Sequence, residues 1–311
     1  MSGDVLATFN RLRPRLTRIA YRMLGSVAEA EDMVQEAWLR WAGADHAAVR
    51  DGDAYLVRLL TRLCLDQLKA ASTRRETYIG PWLPEPSIEP VDAVEEGEQL
   101  TLALMLALER LSPLERAAFL LHDVFGQPFE AVAEVLERDP AACRQLAVRA
   151  RTHVRAAKPR FPVPAERGQD MADAFLAAAH GGDLAGLRGL LAADAVLYSD
   201  GGGRARAALN PVQGGDKVAR FFAGIAAKSG FVQPAVLYRG LIDGLPGFLY
   251  RHPDGTLQTI ALLLDGDGIA AVYVTRNPDK LRHLAVMGEG GLDIHREGLL
   301  IRGADKATHS G

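Results

Sequence analysis

Cysteine is almost missing from this sequence: Cys64 and Cys143 are the two it has. That excludes a disulfide scaffold and a cysteine-rich zinc site. No apolar run approaches the roughly 20 residues that a membrane-spanning helix needs. Met1-Ser2-Gly3-Asp4 lacks the basic-then-apolar layout of a secretory signal. These absences predict a cytoplasmic protein with no membrane partner. An excess of one charge is missing too. A net charge of −3 and a pI near 6.3 exclude a polycation, so any surface for nucleic acid must be local. Lysine is scarce beside arginine and alanine is abundant, the mark of a GC-rich genome. What is present is ordinary globular composition, 48% hydrophobic and 24% charged. At 311 residues the chain is too long for one ordinary domain, and two or three are expected.

Composition divides the chain into blocks, with no internal repeat. Residues 1–78 read as helix after helix. Gly80-Pro81-Trp82-Leu83-Pro84-Glu85-Pro86 is too rich in proline for a helix and belongs to an extended linker, 79–98, whose charges (Glu85, Glu89, Asp92, Glu95, Glu96, Glu98) are all acidic. A second helical block spans 99–158 and ends at the proline-rich break 158–164. A third, 168–285, has helices followed by β-type runs. Residues 286–311 are rich in glycine and charge, and are expected to be a frayed or regulatory tail. In the first block Gly25 closes a helix. Ser26-Val27-Ala28-Glu29 has the spacing of a capping box, in which hydroxyl and carboxylate satisfy opposite backbone N–H groups. Val27, Ala30, Val34, Ala37, Trp38 and Trp41 then form an apolar stripe, with Glu29, Asp32 and Glu36 on a separate acidic one. Taken alone, the acidic stripe reads as a solvated face.

The middle block carries a sharper pattern. Ser112-Pro113-Leu114-Glu115 is a second capping box. A helix to about His122 leads through the turn Asp123–Gly126 to a short helix, Phe129 to Leu136. Asp139 and Pro140 then open a third helix running to about Ala157. Cys143, Leu146, Ala147, Ala150 and Val154 face inward, and Arg144, Gln145, Arg149, Arg151, Thr152 and Arg155 face outward. Between 138 and 160 there are seven basic residues and one acidic. This is the layout of a helix-turn-helix, in which the start of the last helix meets base edges and its later arginines meet phosphates. Arg144 and Gln145 are placed to read guanine and adenine, beside the small Ala142. Glu137 stands at a turn position that often holds glycine.

With that motif in place, the first block gains meaning. Asp32-Met33-Val34-Gln35-Glu36-Ala37-Trp38 closely resembles the polymerase-binding helix of bacterial sigma factors of the extracytoplasmic-function type. Tyr55-Leu56-Val57-Arg58-Leu59-Leu60-Thr61-Arg62-Leu63-Cys64-Leu65-Asp66 resembles their next helix, which lies over the promoter minus-ten element. The middle block resembles their minus-thirty-five reader. The resemblance covers about residues 5–158 and implies a non-enzymatic initiation factor whose partners are core RNA polymerase and promoter DNA. It makes Asp32, Gln35 and Glu36 polymerase contacts, replacing the solvated-face reading, and Leu39 a residue at the contact edge. It makes Arg58, Arg62, Lys69, Arg74, Arg75, Ala142, Arg144, Gln145, Arg149 and Arg151 DNA contacts. The loop 43–53 would receive a flipped base, although Asp45 to Asp53 is acidic for that role.

Three further segments narrow the match to a subgroup with a C-terminal SnoaL-like extension, related in fold to nuclear transport factor 2. They are Trp82-Leu83-Pro84-Glu85-Pro86, Asp200-Gly201-Gly202-Gly203-Arg204 and Asn277-Pro278-Asp279-Lys280. Arg204 stands where that pattern has lysine. The fold class implied is multidomain: two all-α sigma domains, then an α+β cone with two helices over 170–191, a short strand at 195–198, a helix from Gly215 to about Lys228, and strands near 232–239, 247–251, 257–264 and 269–276. The subgroup marks imply regulation by the chain's own C-terminal domain, through contacts of these segments with each other or with the sigma regions, and no dedicated anti-sigma factor. His180, His252 and His283 are scattered, and no catalytic constellation, metal site or cofactor is expected. Two other readings compete. A one-component helix-turn-helix regulator with a ligand-sensing domain has no use for the docking helix at 26–41. An isomerase or hydrolase needs a catalytic pocket that these residues do not offer.

Overall fold

The computed structural model describes residues 3–76, 78–88, 101–155 and 165–288. The acidic run 89–98, the break 156–164 and the tail from 289 lie outside the described residues. Three helices form the first bundle: α1 (Gly3–Leu24), α2 (Val27–Ala42) and α3 (Gly52–Glu76). Leu12, Leu16, Ile19 and Met23 of α1 meet Ala30, Val34 and Ala37 of α2 and Leu56, Leu60 and Cys64 of α3 in one core. Trp41 is buried and donates from its indole nitrogen to the Val5 carbonyl at 3.0 Å. Trp38 is only partly buried, against Phe9. The acidic loop before α3 has structural uses: Asp51 accepts from the amides of Asp53 and Ala54, and Asp53 pairs with Arg11 of α1 at 2.6 Å.

The second bundle holds α4 (Leu102–Glu109), α5 (Pro113–Phe119), a π-helical turn at Leu120–Val124, α6 (Phe129–Leu136) and α7 (Pro140–Arg155). The Ser112–Glu115 capping box is formed in both directions. The core of the first bundle continues through Leu108, Phe119, Leu120, Val132 and Cys143, so the two bundles share one hydrophobic cluster. α3 packs on α5 and α6. Arg116 ties the bundles from within. It is 2% exposed and donates to the Met23 carbonyl at 2.5 Å, the Leu108 carbonyl at 3.0 Å and Glu109 at 2.7 Å. Burial lowers its pKa to about 10. The Met23 carbonyl lies in the last turn of α1, where helix geometry leaves it without an intrahelical donor.

The C-terminal domain is α+β, with a mixed sheet. Helices α8 (Ala165–Gly181), α9 (Leu184–Leu190) and α10 (Gly215–Ala226) accompany strands β1 (Leu191–Asp200), β2 (Val212–Gln213), β3 (Ala235–Ile242), β4 (Leu245–Arg251), β5 (Leu257–Asp265) and β6 (Gly268–Thr275). The strand order is β2-β1-β6-β5-β4-β3, with β1 parallel to β6 and every other pair antiparallel. β1 is longer than the expected 195–198, and β3 begins later than the expected 232. One sheet face packs on α8 and α10 through Phe175, Val218, Phe248, Tyr250 and Leu262. The other covers Leu83 of the linker and Leu102 of α4 with Ile242, Leu245, Ala261 and Tyr273. Burial on both faces explains why β5 and β6 read as nearly continuous apolar runs rather than alternating ones. It also explains α4, whose sequence LALMLALE is apolar on every side up to its last residue, Glu109: Leu104 and Leu108 enter the helical core while Leu102 meets the sheet.

Candidate functional site

Four surfaces hold the residues singled out in the sequence. On α2, Asp32, Gln35 and Leu39 are exposed and Glu36 is half-exposed, pairing with Arg40 at 2.8 Å. The buried stripe of Ala30, Val34, Ala37 and Trp41 fixes the helix from behind, so this face stands open. The capping of α2 differs from the sequence expectation. Ser26 does accept from the Glu29 amide at 3.1 Å, but the Glu29 carboxylate accepts from Gln67. The carboxylate over the helix start belongs to Glu85 of the linker. It accepts from the Ser26 hydroxyl at 2.8 Å and from the Val27 amide at 2.8 Å. An anion at a helix start meets unsatisfied N–H groups and the positive end of the dipole.

On α3, Arg58 and Arg62 turn toward the second bundle. Arg58 pairs with Glu134 of α6 at 2.5 Å, and Arg62 with Glu137 at 2.7 Å. Lys69 pairs with Asp66 at 3.1 Å. Arg74 and Arg75 lie in the last turns of α3, with side chains outside the described residues. Glu137, the irregular turn residue, is left-handed with φ 54 and ψ 48, a conformation that costs a non-glycine residue roughly 1–2 kcal/mol.

On α7, Ala142 is half-buried, while Arg144, Gln145 and Arg149 are exposed. Arg144 lies over the Phe129 ring at 5.6 Å and 3.6 Å from Glu130. Arg149 is 3.8 Å from Glu115. Arg151 turns aside: its guanidinium donates to Asp123 at 2.6 Å in a largely covered pair that braces the turn before α6.

The fourth surface joins the three subgroup segments. Asp200 ends β1 and is wholly buried, and its carboxylate accepts from the Tyr78 hydroxyl at 2.6 Å, the Leu83 amide at 2.9 Å and Lys280 at 2.7 Å. Lys280 also donates to the Leu83 carbonyl and lies 4.2 Å from the Trp82 ring. Asn277 donates to the Tyr78 hydroxyl at 2.8 Å and accepts from the Asp279 amide. Burial and the Asp200 carboxylate push the Tyr78 phenol well above its ordinary range. Arg204 pairs with Asp279 at 2.9 Å. A β-carbon on Gly202, whose φ is +57, would sit 2.2 Å from the Asn277 amide nitrogen; only glycine fits there. Pro84 and Pro86 are buried, and the Pro86 carbonyl accepts from His283 at 2.8 Å. Trp82 lies over Gly25 at the α1–α2 turn. The linker is thus gripped from both sides. Tyr78 at Asp200, Arg116 between the bundles, and Asp243, which bonds to Tyr21 and Ser87, join separate parts of the chain without having been read from the sequence.

Among the described residues no group of three or more His, Cys, Asp or Glu is arranged to hold a metal ion, and no helix is long and apolar enough to cross a membrane. His180 and His252 are closer than their separation in sequence implied. His180 lies 5.9 Å from the Tyr250 ring, and burial with the charge of His252 lowers its pKa.

Comparison with known proteins agrees with this geometry. Residues 8–74 match Sigma-70 region 2, and residues 101–154 match Sigma-70, region 4. The ECF RNA polymerase sigma factor SigJ of Mycobacterium tuberculosis is 40% identical over 296 residues, covering 88% of this chain and 92% of the relative. The probable ECF RNA polymerase sigma factor SigI of the same organism is 38% identical over 186 residues, covering 58% of this chain and 64% of the relative. The crystal structure of M. tuberculosis SigJ superposes with a TM-score of 0.72 at 37% identity, covering 89% of this chain and 98% of that one. The chain therefore belongs to the extracytoplasmic-function RNA polymerase sigma factors, non-enzymatic factors of transcription initiation, and joins two helical sigma domains to a SnoaL-like α+β domain.

Proposed function

We propose that this sigma factor docks on core RNA polymerase through the open face of α2, with Asp32, Gln35 and Glu36 as contacts. It reads the minus-ten element with α3 and the minus-thirty-five element with α7. Arg58, Arg62, Lys69, Arg74 and Arg75 contact the DNA backbone from α3. Arg144 and Gln145 approach base edges past the small Ala142, and Arg149 meets phosphate. Arg151 acts by holding the turn to Asp123. The working division is 1–78 for polymerase and minus-ten binding, 79–98 for the linker, 99–158 for minus-thirty-five binding, 168–285 for regulation and 286–311 for the tail. Because the regulator is part of the chain, a dedicated anti-sigma factor is not required.

One observation carries the regulatory part: Arg58 and Arg62 hold carboxylates of the other DNA-reading bundle at 2.5 and 2.7 Å. Elements centred near minus ten and minus thirty-five lie about 25 base pairs apart, or about 85 Å along the duplex. Two helices in ion-pair contact do not span that distance. The bundles must separate, and Arg58 and Arg62 must exchange carboxylates for phosphates. The C-terminal domain grips the linker between them and so governs the separation.

The test is run-off transcription with purified core polymerase. The expected result is product that depends on the added chain, falls sharply with Asp32→Lys, and changes with Asp200→Asn. Equal product from wild type and Asp200→Asn overturns regulation in cis. Undiminished polymerase binding by Asp32→Lys overturns the docking face.

A further inference from the structure

The subgroup segments account for Asp200 and its ring of partners. They do not account for Asp243, at the tip of the β3–β4 hairpin on the edge of the sheet. Ile242 pairs with Leu245, so the hairpin has a two-residue turn, and both of its residues have positive φ, Asp243 at 47 and Gly244 at 69. That is a type I′ turn, which tolerates few residues other than Gly, Asn and Asp. An exposed turn tip is the usual place for such residues, yet Asp243 is 7% exposed.

Its bonds reach three other parts of the chain. The Tyr21 hydroxyl of α1 lies 2.8 Å from Asp243 Oδ1 and 2.7 Å from the Glu85 carbonyl, so its single proton is shared between them. The Ser87 amide of the linker donates to Asp243 Oδ1 at 2.9 Å. The Asp243 amide donates to the Ser87 carbonyl at 2.8 Å, and the Asp243 carbonyl accepts from the amide of Leu102, the first residue of α4, at 2.9 Å. One residue of the C-terminal domain is therefore bonded to the first bundle, to the linker and to the second bundle.

We propose that Asp243 is a positioning residue: the β3–β4 hairpin is a three-way dock that sets where the two sigma bundles stand relative to each other. The turn conformation accepts glycine, asparagine or aspartate at this position. The carboxylate is what links Tyr21 to Ser87. The backbone groups fix α4 to the same point. This deepens the regulatory reading and rests on it for its consequence in transcription, while the placement of the bundles is measurable separately.

The experiment uses the full chain. Fluorescent dyes are attached at Glu31→Cys on α2 and Thr152→Cys on α7, both exposed positions; Cys64 and Cys143 are buried and shielded from labelling. Asp243→Gly keeps the turn and the backbone bonds and removes the carboxylate alone. Asp243→Asn keeps an acceptor oxygen, and Tyr21→Phe removes the donor. The expected result is a loss of energy transfer between the dyes in Asp243→Gly and in Tyr21→Phe. The double variant should lose less than the sum of the single losses, because the Tyr21–Asp243 bond is common to both. Asp243→Asn should stay near wild type. In run-off transcription the opened variants should differ from wild type by about fivefold, the lower end of typical coupling between sites. Wild-type energy transfer in Asp243→Gly overturns the proposal, and so do strictly additive losses with Tyr21→Phe. If the dyes separate but transcription is unchanged, the positioning role stands and the regulatory reading falls. If Asp200→Asn alters transcription while Asp243→Gly alters neither readout, the regulatory reading stands and the role of Asp243 falls.

Discussion

Beside the hydrophobic core that the bundles share and the buried bonds of Arg116, two sets of ion pairs brace this closed arrangement, and they differ in kind. Between the bundles, Arg58 and Arg62 meet Glu134 and Glu137 with carboxylates that are 66% and 72% exposed. Within the C-terminal domain and beneath the linker, Lys280 meets Asp200 with side chains that are 8% and 0% exposed, and both bond to Leu83 of the linker. Exposed pairs contribute about 0–1 kcal/mol each and are screened within a Debye length of about 8 Å at physiological ionic strength. A buried pair has surrendered its hydration, and removing one partner leaves an uncompensated charge. Under the DNA-contact role proposed for Arg58 and Arg62, the first contact suits a surface that lets go when phosphates arrive. The second suits an anchor that stays closed while the bundles part.

The largest expected effect tests the anchor. Lys280→Met should destabilise the linker junction by roughly 3–5 kcal/mol, read as a lower urea midpoint by fluorescence of Trp82, whose ring lies 4.2 Å from the ammonium group. Adding Asp200→Asn to Lys280→Met should restore part of that loss, since the pair is removed together. A change below about 1 kcal/mol in Lys280→Met would place the anchor in the same class as the exposed pairs.

Gly202→Ala comes next. The added carbon meets the Asn277 amide nitrogen at 2.2 Å and the Tyr78 hydroxyl at 2.9 Å, at a φ of +57. The left-handed backbone alone costs about 1–2 kcal/mol, and the displaced hydrogen bonds add to it. Loss of thermal stability should be accompanied by faster exchange of the Leu83 amide, which donates to Asp200.

Glu85→Ala is expected to cost about 1 kcal/mol, the usual loss for a removed helix cap. Its distinguishing readout is local: the Val27 and Ala28 amides, which face the Glu85 carboxylate, should exchange faster while the Asp200 junction keeps its protection.

These junctions mark the line between what the sequence discloses and what it hides. The helices of both bundles were legible because their signals are local: Ser112 with Glu115, the apolar spacing of α2, and Asp139, whose carboxylate accepts from the Ala142 amide at the start of α7. The Asp243-Gly244 hairpin also had its local sign, a turn dipeptide between apolar runs. The apolar α4 carried a sign of burial on two sides. Ser26-Val27-Ala28-Glu29 shows the limit. Its spacing promised a self-contained box, but the carboxylate came from Glu85, 58 positions beyond the Val27 amide that it accepts from. The parallel pairing of β1 with β6 and the meeting of Tyr78 with Asp200 are likewise non-local. No window of sequence contains both partners, so only the segments were legible and not their contact.

The smallest stability effect concerns the exposed contact, and it is the one that separates strain from charge. Glu137 is left-handed at φ 54, in the turn between α6 and α7, and its carboxylate reaches Arg62 at 2.7 Å. Glu137→Gly removes the strained conformation and the ion pair together, whereas Glu137→Gln keeps the strain and removes only the charge. Relief of strain is worth about 1–2 kcal/mol, and the exposed pair contributes no more than about 1 kcal/mol, so Glu137→Gly should be as stable as wild type or slightly more so. Glu137→Gln should be slightly less stable. Both should free Arg62 for phosphate, so both should raise promoter-dependent transcription at low salt, and the gain should shrink as added salt screens the pair in wild type as well. Higher transcription from Glu137→Gly alone would mean that the turn conformation, and not the carboxylate on Arg62, holds the bundles together. The contrast between a releasing surface and a fixed anchor would then have to be redrawn around the backbone of the turn.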